Sequence, residues 1–274
     1  MVSRILAVLT EPATARAVLD AAACAAAVNG ACRIDALHVR LDPQSLILPT
    51  EEVMTRKRRA ELEDALAERA RGVQLAYREW ALAAGGLADR AGWDEITGAV
   101  ETEVTARGKL ADLLVLARPD GAESRDALHA ALFDVRRLFL LVPPGGFAPV
   151  GSHMAIAWNA SETAERAVVA ALPWLAGATC ISVLIAATDF DLQAQTLLAL
   201  LAGHGVPAVG IAVEAIACGP DDSIGEALLE RARSLGADSL VMGAYRRHRF
   251  FEWVLGGVTR HVLHHADLPV FMLH

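Results

Sequence analysis

The chain contains 274 residues, of which 54% are apolar and 21% are charged, and its formal net charge is −8. This composition excludes an intrinsically disordered chain, which combines low hydrophobicity with high net charge. An acidic surface repels the phosphate backbone, so the sequence predicts no nucleic-acid partner. The four cysteines form no C-x-x-C pair and are expected to be small apolar residues in a reducing cytoplasm: Cys24, Cys32, Cys180 and Cys218.

Strand and helix patterns alternate along the first half of the chain. Continuous apolar runs predict strands near residues 4–10, 32–40, 87–93, 111–117 and 137–142. The stretches between them predict helices near residues 12–29, 50–84, 94–107 and 122–133. Apolar strands separated by helices indicate a parallel sheet that is covered on both faces.

The second half repeats this alternation. Its predicted strands lie near residues 153–159, 179–187, 208–217, 238–243 and 269–273, and its predicted helices near 162–176, 190–204, 222–235 and 253–266. The turn-rich stretch 143–149 separates the halves. The sequence therefore predicts an α/β protein of two tandem, doubly wound, five-stranded parallel-sheet sandwiches, in domains 1–145 and 151–274. The apolar last strands are expected to pair at their edges, either within the chain as a pseudo-dimer or between chains as a homodimer.

Three short internal matches indicate that the halves are copies of one unit. Ala7 and Arg16 match Ala157 and Arg166 at an offset of 150 residues. Residues 111–115 match 237–241 at an offset of 126, and phenylalanines near the two ends match at an offset of 132. The changes in offset place 24 extra residues in the first half before its fourth strand, over residues 50–85, and remove six after it.

Two stretches suggest a nucleic-acid patch and a membrane span, but their residues favour ordinary elements of a folded domain. Residues 56–64 place four basic residues before three acidic ones, which favours i,i+4 ion pairs on an exposed helix over a nucleic-acid patch. Residues 167–188 are an uncharged run of 22 residues, long enough to span a bilayer. Its proline, glycine and polar residues favour a helix end, a turn and a buried strand instead.

Ligands of doubly wound sheets bind beyond the carboxyl ends of the strands. In the second half the fourth predicted strand ends at Gly243, and Gly256 and Gly257 follow in the run that becomes the last helix. Glycines at a strand end and a helix start let backbone amides approach an anion closely. This loop is the candidate binding site of the chain.

The stretch from Gly243 to the C-terminus resembles the C-terminal signature of universal stress proteins. Nucleotide-binding members of that family carry G-x2-G-x9-G-[S/T] here, and many end in H-A-x-x-P-V, as residues 265–270 do. Residues 157–161, Ala-Trp-Asn-Ala-Ser, are similar to the family's A-x-D-G-S after the first strand. The doubled architecture is similar to that of tandem family members, which have an adenine nucleotide alpha hydrolase-like fold.

The resemblance implies an adenine-nucleotide site in the second half, holding ATP with Mg²⁺ if it holds a ligand. It places Gly243 and Gly256 against the phosphates, Arg246 where the family has a second glycine, and Gly257 where the family has a hydroxyl. Val258 and Thr259 follow, and the Thr259 hydroxyl is an alternative donor. The resemblance also places Asn159 beside the nucleoside and Ala186 beside the adenine.

In the first half the same motif positions are lost. The alignment puts Leu9 at the position of the family's aspartate, and residues 117–120 replace the glycine loop. The first half is therefore expected to be a structural partner without a nucleotide site.

The role of Arg246 stays open between two interpretations. Its guanidinium can pair with phosphate, or its side chain can fill the space that the glycine leaves. His261 and His265 lie four residues apart on a predicted helix, a spacing that suits a metal as well as a helix C-terminus.

The resemblance implies a cytoplasmic stress-response binding module with a partly degenerate ATP site. No general base or nucleophile is evident, so the sequence predicts no enzyme, although weak ATP hydrolysis is compatible with phosphates positioned by backbone and Mg²⁺. One alternative is a nucleotide-free interaction or dimerisation protein with both sites lost. A second is an adenylating or ammonia-using ligase, which would need a glycine-rich loop that residues 160–163 do not supply.

Overall fold

The computed structural model describes residues 2–28, 30, 32–42, 56–146, 150–186, 189–207, 210–216, 223–244 and 257–274. The first half contains β1 (Arg4–Val8), α1 (Pro12–Ala27), β2 (Arg33–Arg40), α2 (Arg56–Ala83), β3 (Ala91–Thr97), α3 (Val100–Gly108), β4 (Leu113–Ala117), α4 (Ala122–His129) and β5 (Leu138–Val142). The second half contains β6 (His153–Trp158), α5 (Glu162–Leu175), β7 (Cys180–Ile185), α6 (Phe190–Gly203), β8 (Ile211–Ala215), α7 (Ile224–Ser234), β9 (Ser239–Gly243), α8 (Gly257–His265) and β10 (Val270–Leu273).

The ten strands form one continuous sheet in the order β3-β2-β1-β4-β5-β10-β9-β6-β7-β8. Within each half the five strands are parallel, and the two halves meet where β5 pairs antiparallel with β10. The two predicted five-stranded units are thereby confirmed, as is the pairing of their last strands within the chain. The domain limits 1–145 and 151–274 and a homodimer remain predictions.

Two equivalent aspartates show how the halves correspond. The carboxylate of Asp112, before β4, accepts hydrogen bonds from the backbone amides of Ser3 at 2.8 Å and Arg4 at 3.0 Å. The carboxylate of Asp238, before β9, accepts them from Ser152 at 2.7 Å and His153 at 2.8 Å. Each aspartate fixes the first strand of its half to the fourth, which explains why this part of the repeat is visible in the sequence.

These contacts correct the predicted register of the repeat by one residue. Ser3 corresponds to Ser152 and Arg4 to His153, an offset of 149 rather than 150. Every buried residue of α5 has a buried counterpart in α1 at this same offset: Ala15, Val18, Leu19, Ala22, Ala25 and Ala26 correspond to Ala164, Ala167, Val168, Ala171, Trp174 and Leu175. An offset of 150 would instead equate β1 side chains with β6 side chains on the opposite face of the sheet.

The last strands shift in the same way. In the first half Leu113 of β4 pairs with Leu138 of β5. In the second half Ser239 of β9 corresponds to Leu113, and the residue after it, Leu240, pairs with Val270, so Ser239 lies opposite residue 269. Leu138 therefore corresponds to residue 269, an offset of 131 rather than 132. Leu140 then corresponds to Phe271, and these two residues pair directly, so the pseudo-two-fold axis passes between them.

The extra residues of the first half lie between β2 and β3, as predicted. They lengthen the crossover helix, since α2 has 28 residues and its counterpart α6 has 14. The prediction for the next two elements was wrong: β3 begins at Ala91 rather than near 87, and α3 begins at Val100 rather than near 94. Residues 85–90 form a 3-10 turn, and β3 is an edge strand with exposed acidic residues, so it lacks the apolar run that marks a central strand.

The two halves share their hydrophobic core. On one face of the sheet, α1 and α5 pack on the strands of both halves in a single cluster of buried residues. The indole of the fully buried Trp174 donates a hydrogen bond from Nε1 to the carbonyl of Ala25 at 3.2 Å and packs against Phe271. The halves are therefore joined by core contacts as well as by the sheet.

The remaining predictions about these elements concern the membrane, the charged helix and the cysteines. No helix within the described ranges is both long and apolar enough to cross a bilayer. On α2, Lys57 and Arg59 form i,i+4 ion pairs with Glu61 and Glu63.

Three cysteines have free thiols, Cys24, Cys32 and Cys180, while Cys218 lies outside the described residues. Burial raises the pKa of the Cys32 thiol to about 11.

Candidate functional site

The second half has its topological switch point between β6 and β9. From β6 the chain continues outward through β7 and β8, and then returns to the other side of β6 as β9. Loops that leave neighbouring strands in opposite directions open a crevice at the carboxyl edge of the sheet. The loop after β6 leads into α5, and α8 follows β9, so both helices begin at this edge.

Gly243 lies in the tightest part of this crevice. A Cβ atom at Gly243 would lie 2.5 Å from the backbone nitrogen of Ala164 and 2.6 Å from the carbonyl carbon of Thr163. The first turn of α5 therefore rests directly on the end of β9. Only glycine permits this approach, which explains the residue type that the sequence analysis placed in the site.

The loop between β6 and α5 is held by its own polar side chains. The Asn159 Oδ1 accepts hydrogen bonds from the Ser161 amide at 3.2 Å and the Ser161 hydroxyl at 2.7 Å. Ser161 caps α5 by accepting from the Ala164 amide at 3.2 Å. Ala160 has a φ of 51°, a left-handed conformation that favours glycine. Asn159 itself is exposed at this edge.

The start of α8 presents three predicted site residues in different environments. Gly257 is the exposed first residue of the helix, and a Cβ atom there would meet nothing within 4 Å. Val258 is half-buried against the core, and Thr259 is buried at 5% exposure. The first turn of α8 contains no acidic residue, and a helix N-terminus carries a partial positive charge that favours an anion.

The remaining predicted residues divide into one that the structure describes and two that it does not. Ala186 directly follows β7, beside Asn159, because Ile185 pairs with Trp158 in the register of the sheet. Arg246 and Gly256 lie outside the described residues, between β9 and α8. Asn159 and Ala186 thus directly follow β6 and β7, and Gly243 ends β9, the neighbour of β6 on its other side. Gly257 begins α8, which follows β9 along the chain.

The equivalent edge of the first half has a different chemistry. At the corrected offset, Thr10 rather than Leu9 corresponds to Asn159, since Leu9 corresponds to the buried Trp158. Next to it, Arg69 of α2 forms ion pairs with Glu11, at 3.4 Å, and with Glu123 of α4. We call these three residues the Glu11–Arg69–Glu123 cluster. The long α2 therefore supplies a side chain that α6, which is half its length, does not place in the second half.

The titration of two buried groups reflects the crowding at this edge. Burial raises the pKa of Glu11, and the neighbouring carboxylates of Glu123 and Asp120 raise it further against the lowering effect of Arg69. Burial lowers the pKa of His38, whose Nδ1 lies 2.8 Å from the carbonyl oxygen of Leu9. In both groups the largest cause of the shift is burial, which disfavours the charged form.

The sequence analysis missed the Glu11–Arg69–Glu123 cluster. Its members are separated by 58 and 54 residues, so no local spacing indicated the contact. The only signal in the sequence was the insertion in the first half, which makes α2 longer than its counterpart α6. The histidine pair of α8 is placed as the spacing predicted: the rings of His261 and His265 stack at 4.3 Å, and His265 Nδ1 lies 3.0 Å from the His261 carbonyl oxygen.

Comparisons with known proteins agree with this architecture. Residues 193–274 match the model described as the Universal stress protein family. The fold is similar to that of a universal stress protein from Archaeoglobus fulgidus DSM 4304, with a TM-score of 0.64 and 16% identity over 98% of this chain and 97% of that one. It is also similar to a protein of unknown function from Pseudomonas aeruginosa PAO1, with a TM-score of 0.58 and 16% identity over 99% and 92% of the two chains.

No curated protein matches the sequence significantly. The family match covers α6 to β10, which includes Gly243 and the start of α8, and the structural similarity covers both halves. Residues 193–274 therefore match the universal stress protein family, and the whole chain has a fold similar to that of the universal stress protein from Archaeoglobus fulgidus.

Proposed function

We propose that the chain is a stress-response binding module that holds an adenine nucleotide, ATP with Mg²⁺, at the carboxyl edge of its second half. The observation that carries the proposal is the close contact of Gly243 with the first turn of α5. Asn159 precedes α5 at the same edge of the sheet, and α8 follows β9, so both are close in the topology to that contact. A cytoplasmic location fits the free thiols of the described cysteines.

Each part of the edge has a role that its chemistry supports. The N-terminus of α8 stabilises the phosphates through the N–H groups and partial positive charge of its first turn, which contains no acidic residue. The Asn159 amide donates to the nucleoside, and the small side chain of Ala186 leaves room for the base. Mg²⁺ would be carried mainly by the phosphates and water. No described nucleophile or general base lies in the crevice, so binding rather than catalysis is proposed.

The asymmetry of the halves supports a single site. In the first half, the position equivalent to Asn159 is Thr10, and the Glu11–Arg69–Glu123 cluster lies beside it with two carboxylates to one guanidinium. Anionic phosphates are repelled by such a set at close range. One nucleotide per chain is therefore expected.

Calorimetric titration with ATP and Mg²⁺ tests the proposal. The wild type is expected to bind weakly, because Arg246 and Gly257 both depart from the family pattern at the phosphates. Gly257→Ser is expected to bind about tenfold more tightly, because it adds a hydroxyl where the structure leaves space. Asn159→Ala is expected to bind ATP about tenfold more weakly than the wild type. Thr10→Ala, at the equivalent position of the first half, is the matched control.

Two further variants address Arg246. If its guanidinium pairs with phosphate, Arg246→Ala weakens binding by about ten- to a hundredfold, whereas if the side chain fills the site, Arg246→Gly strengthens binding. Binding by none of these proteins would overturn the proposal and favour the second candidate, an interaction protein without nucleotide. The two departures at the same phosphates are the observation that favours that candidate.

A further inference from the structure

We propose a divalent metal site of the zinc type in the first half, formed by Glu101, His129 and Asp134. Glu101 lies on α3, His129 ends α4 and Asp134 lies on the turn that follows α4. One ligand atom from each, an imidazole nitrogen and two carboxylate oxygens, lies within 4.8 Å of the other two. Among the described residues these are the only three histidine, cysteine or acidic side chains arranged in this way.

A π-helical turn brings two of the three together. α4 ends at His129, and residues 130–135 continue as a π-helix, in which Asp134 is the fifth residue after His129. Residues five apart lie on different faces of an α-helix but come into line in the i→i+5 pattern of a π-helix. Such turns are rare and are frequent at functional sites.

The third ligand comes from α3, which is packed firmly against this turn. A Cβ atom at Gly108 would lie 2.8 Å from a methyl carbon of Val135, so the last turn of α3 touches the π-helix directly. Glu101, in the first turn of α3, places Oε1 3.2 Å from His129 Nδ1. The cluster is therefore held by α3, α4 and the π-helix, and α3 and the π-helix are in direct contact.

The distances favour a cation over an ordinary hydrogen bond. The His129 Nδ1 lies 3.2 Å from Glu101 but 4.0 Å from Asp134 Oδ2, too far for a hydrogen bond. Asp134 Oδ2 is shielded from solvent and accepts no hydrogen bond from any described residue. A buried carboxylate oxygen without a donor is costly. A cation between the three atoms would satisfy that oxygen together with the other two ligands.

The donor set indicates the class of metal. Imidazole nitrogen suits zinc and the later transition metals, and carboxylates complete such sites. Zinc takes nitrogen and oxygen ligands at about 2.0–2.2 Å, which three atoms separated by 3–5 Å reach with small side-chain rotations. Three protein ligands leave one position of a tetrahedral zinc site open to water.

Calorimetric titration of the full chain with ZnCl₂ tests the site. One equivalent of Zn²⁺ is expected to bind the wild type and to raise its melting temperature. Asp134→Asn and Glu101→Gln are each expected to weaken this binding at least about tenfold, because each removes a charged ligand while keeping the shape of the side chain. Glu101 lies on the exposed first turn of α3, so Glu101→Gln remains informative even if Asp134→Asn affects folding.

The stacked histidines of α8 are the competing zinc ligands and provide the control. A His261→Ala, His265→Ala double variant is expected to keep the bound equivalent and its effect on melting temperature. The proposal is overturned if the wild type binds no Zn²⁺, if both carboxylate variants bind as the wild type does, or if the double variant loses the site.

Discussion

Single side chains at the two carboxyl edges give the halves opposite chemistry. In the second half, Gly243 lets the start of α5 contact β9, Gly257 is exposed at the start of α8, and Asn159 adds a hydrogen-bonding group. In the first half, Glu11 and Glu123 share one arginine, Arg69. The two glycines of the second half are not equivalent, however, because only Gly243 is required by sterics.

Alanine substitutions separate the two glycines. Gly243→Ala is expected to lower the free energy of unfolding by about 1–3 kcal/mol, since its Cβ would overlap the backbone of α5. Gly257→Ala, the control, meets no atom and is expected to change that energy by no more than about 0.5 kcal/mol. Urea unfolding followed by circular dichroism measures both. Equal effects of the two substitutions would contradict the packing described for β9 and α5.

At the scale of elements, α2 distinguishes the halves. It is twice as long as α6, and its exposed first turns carry i,i+4 ion pairs, while Arg69 reaches the loops before α1 and at the start of α4. These ion pairs connect the lengthened helix to the carboxyl edge of the first half. Arg69 is the residue through which this connection is tested.

Arg69→Gln is expected to destabilise the protein by about 1–2 kcal/mol at pH 7.5, because two partly buried carboxylates then face each other without a cation. The loss should be smaller at pH 4.5. The pKa of Glu11 is already raised in the folded state, so protonation of this carboxyl favours folding as the pH falls through that value. Denaturant unfolding at the two pH values measures the effect.

Arg59→Gln is the matched control on the same helix. It removes an exposed i,i+4 pair with Glu63 and is expected to cost no more than about 0.5 kcal/mol at either pH. A loss at Arg69 that does not change with pH would show that Glu11 does not titrate as described.

At the scale of the whole molecule, the sheet is continuous and its centre is the β5–β10 pair. Leu138–Val142 and Val270–Leu273 are entirely buried, and the axis relating the halves passes between Leu140 and Phe271. The outer strands β3 and β8 each have one neighbour and contain exposed residues. Stability is therefore expected to decrease from the junction of the halves outward.

Hydrogen exchange measures this gradient. Amides of β5 and β10 are expected to exchange only through global unfolding, whereas those of β3 and β8 exchange earlier through local opening. Faster exchange at the centre than at the edges would show that the halves separate before they unfold.

The architecture was predictable because buried strands and helices have clear periods. The family pattern also indicated Gly243, whose contact with α5 requires a glycine, while the binding role of the glycines stays a prediction. The register of the repeat was not predictable. Alanine-rich helices offer chance identities one residue away from the true alignment, and only the carboxylates of Asp112 and Asp238 fix it. β3 was misplaced because an edge strand has no apolar run. The clusters around Arg69 and His129 depend on contacts between distant segments and on a π-helical turn, which no local pattern records.

The antiparallel β5–β10 contact has a consequence for how such a chain diverges. In a symmetric dimer of identical subunits, every substitution appears twice, and the contact forms only above a certain concentration. Here the two partners are covalently joined, so dilution does not separate them and each is encoded separately. One copy is thereby free to exchange its glycines for an ion-paired cluster and a long helix while the other keeps an open edge. Because the two halves are covalently joined and separately encoded, their sequences can diverge and their carboxyl edges can differ in chemistry.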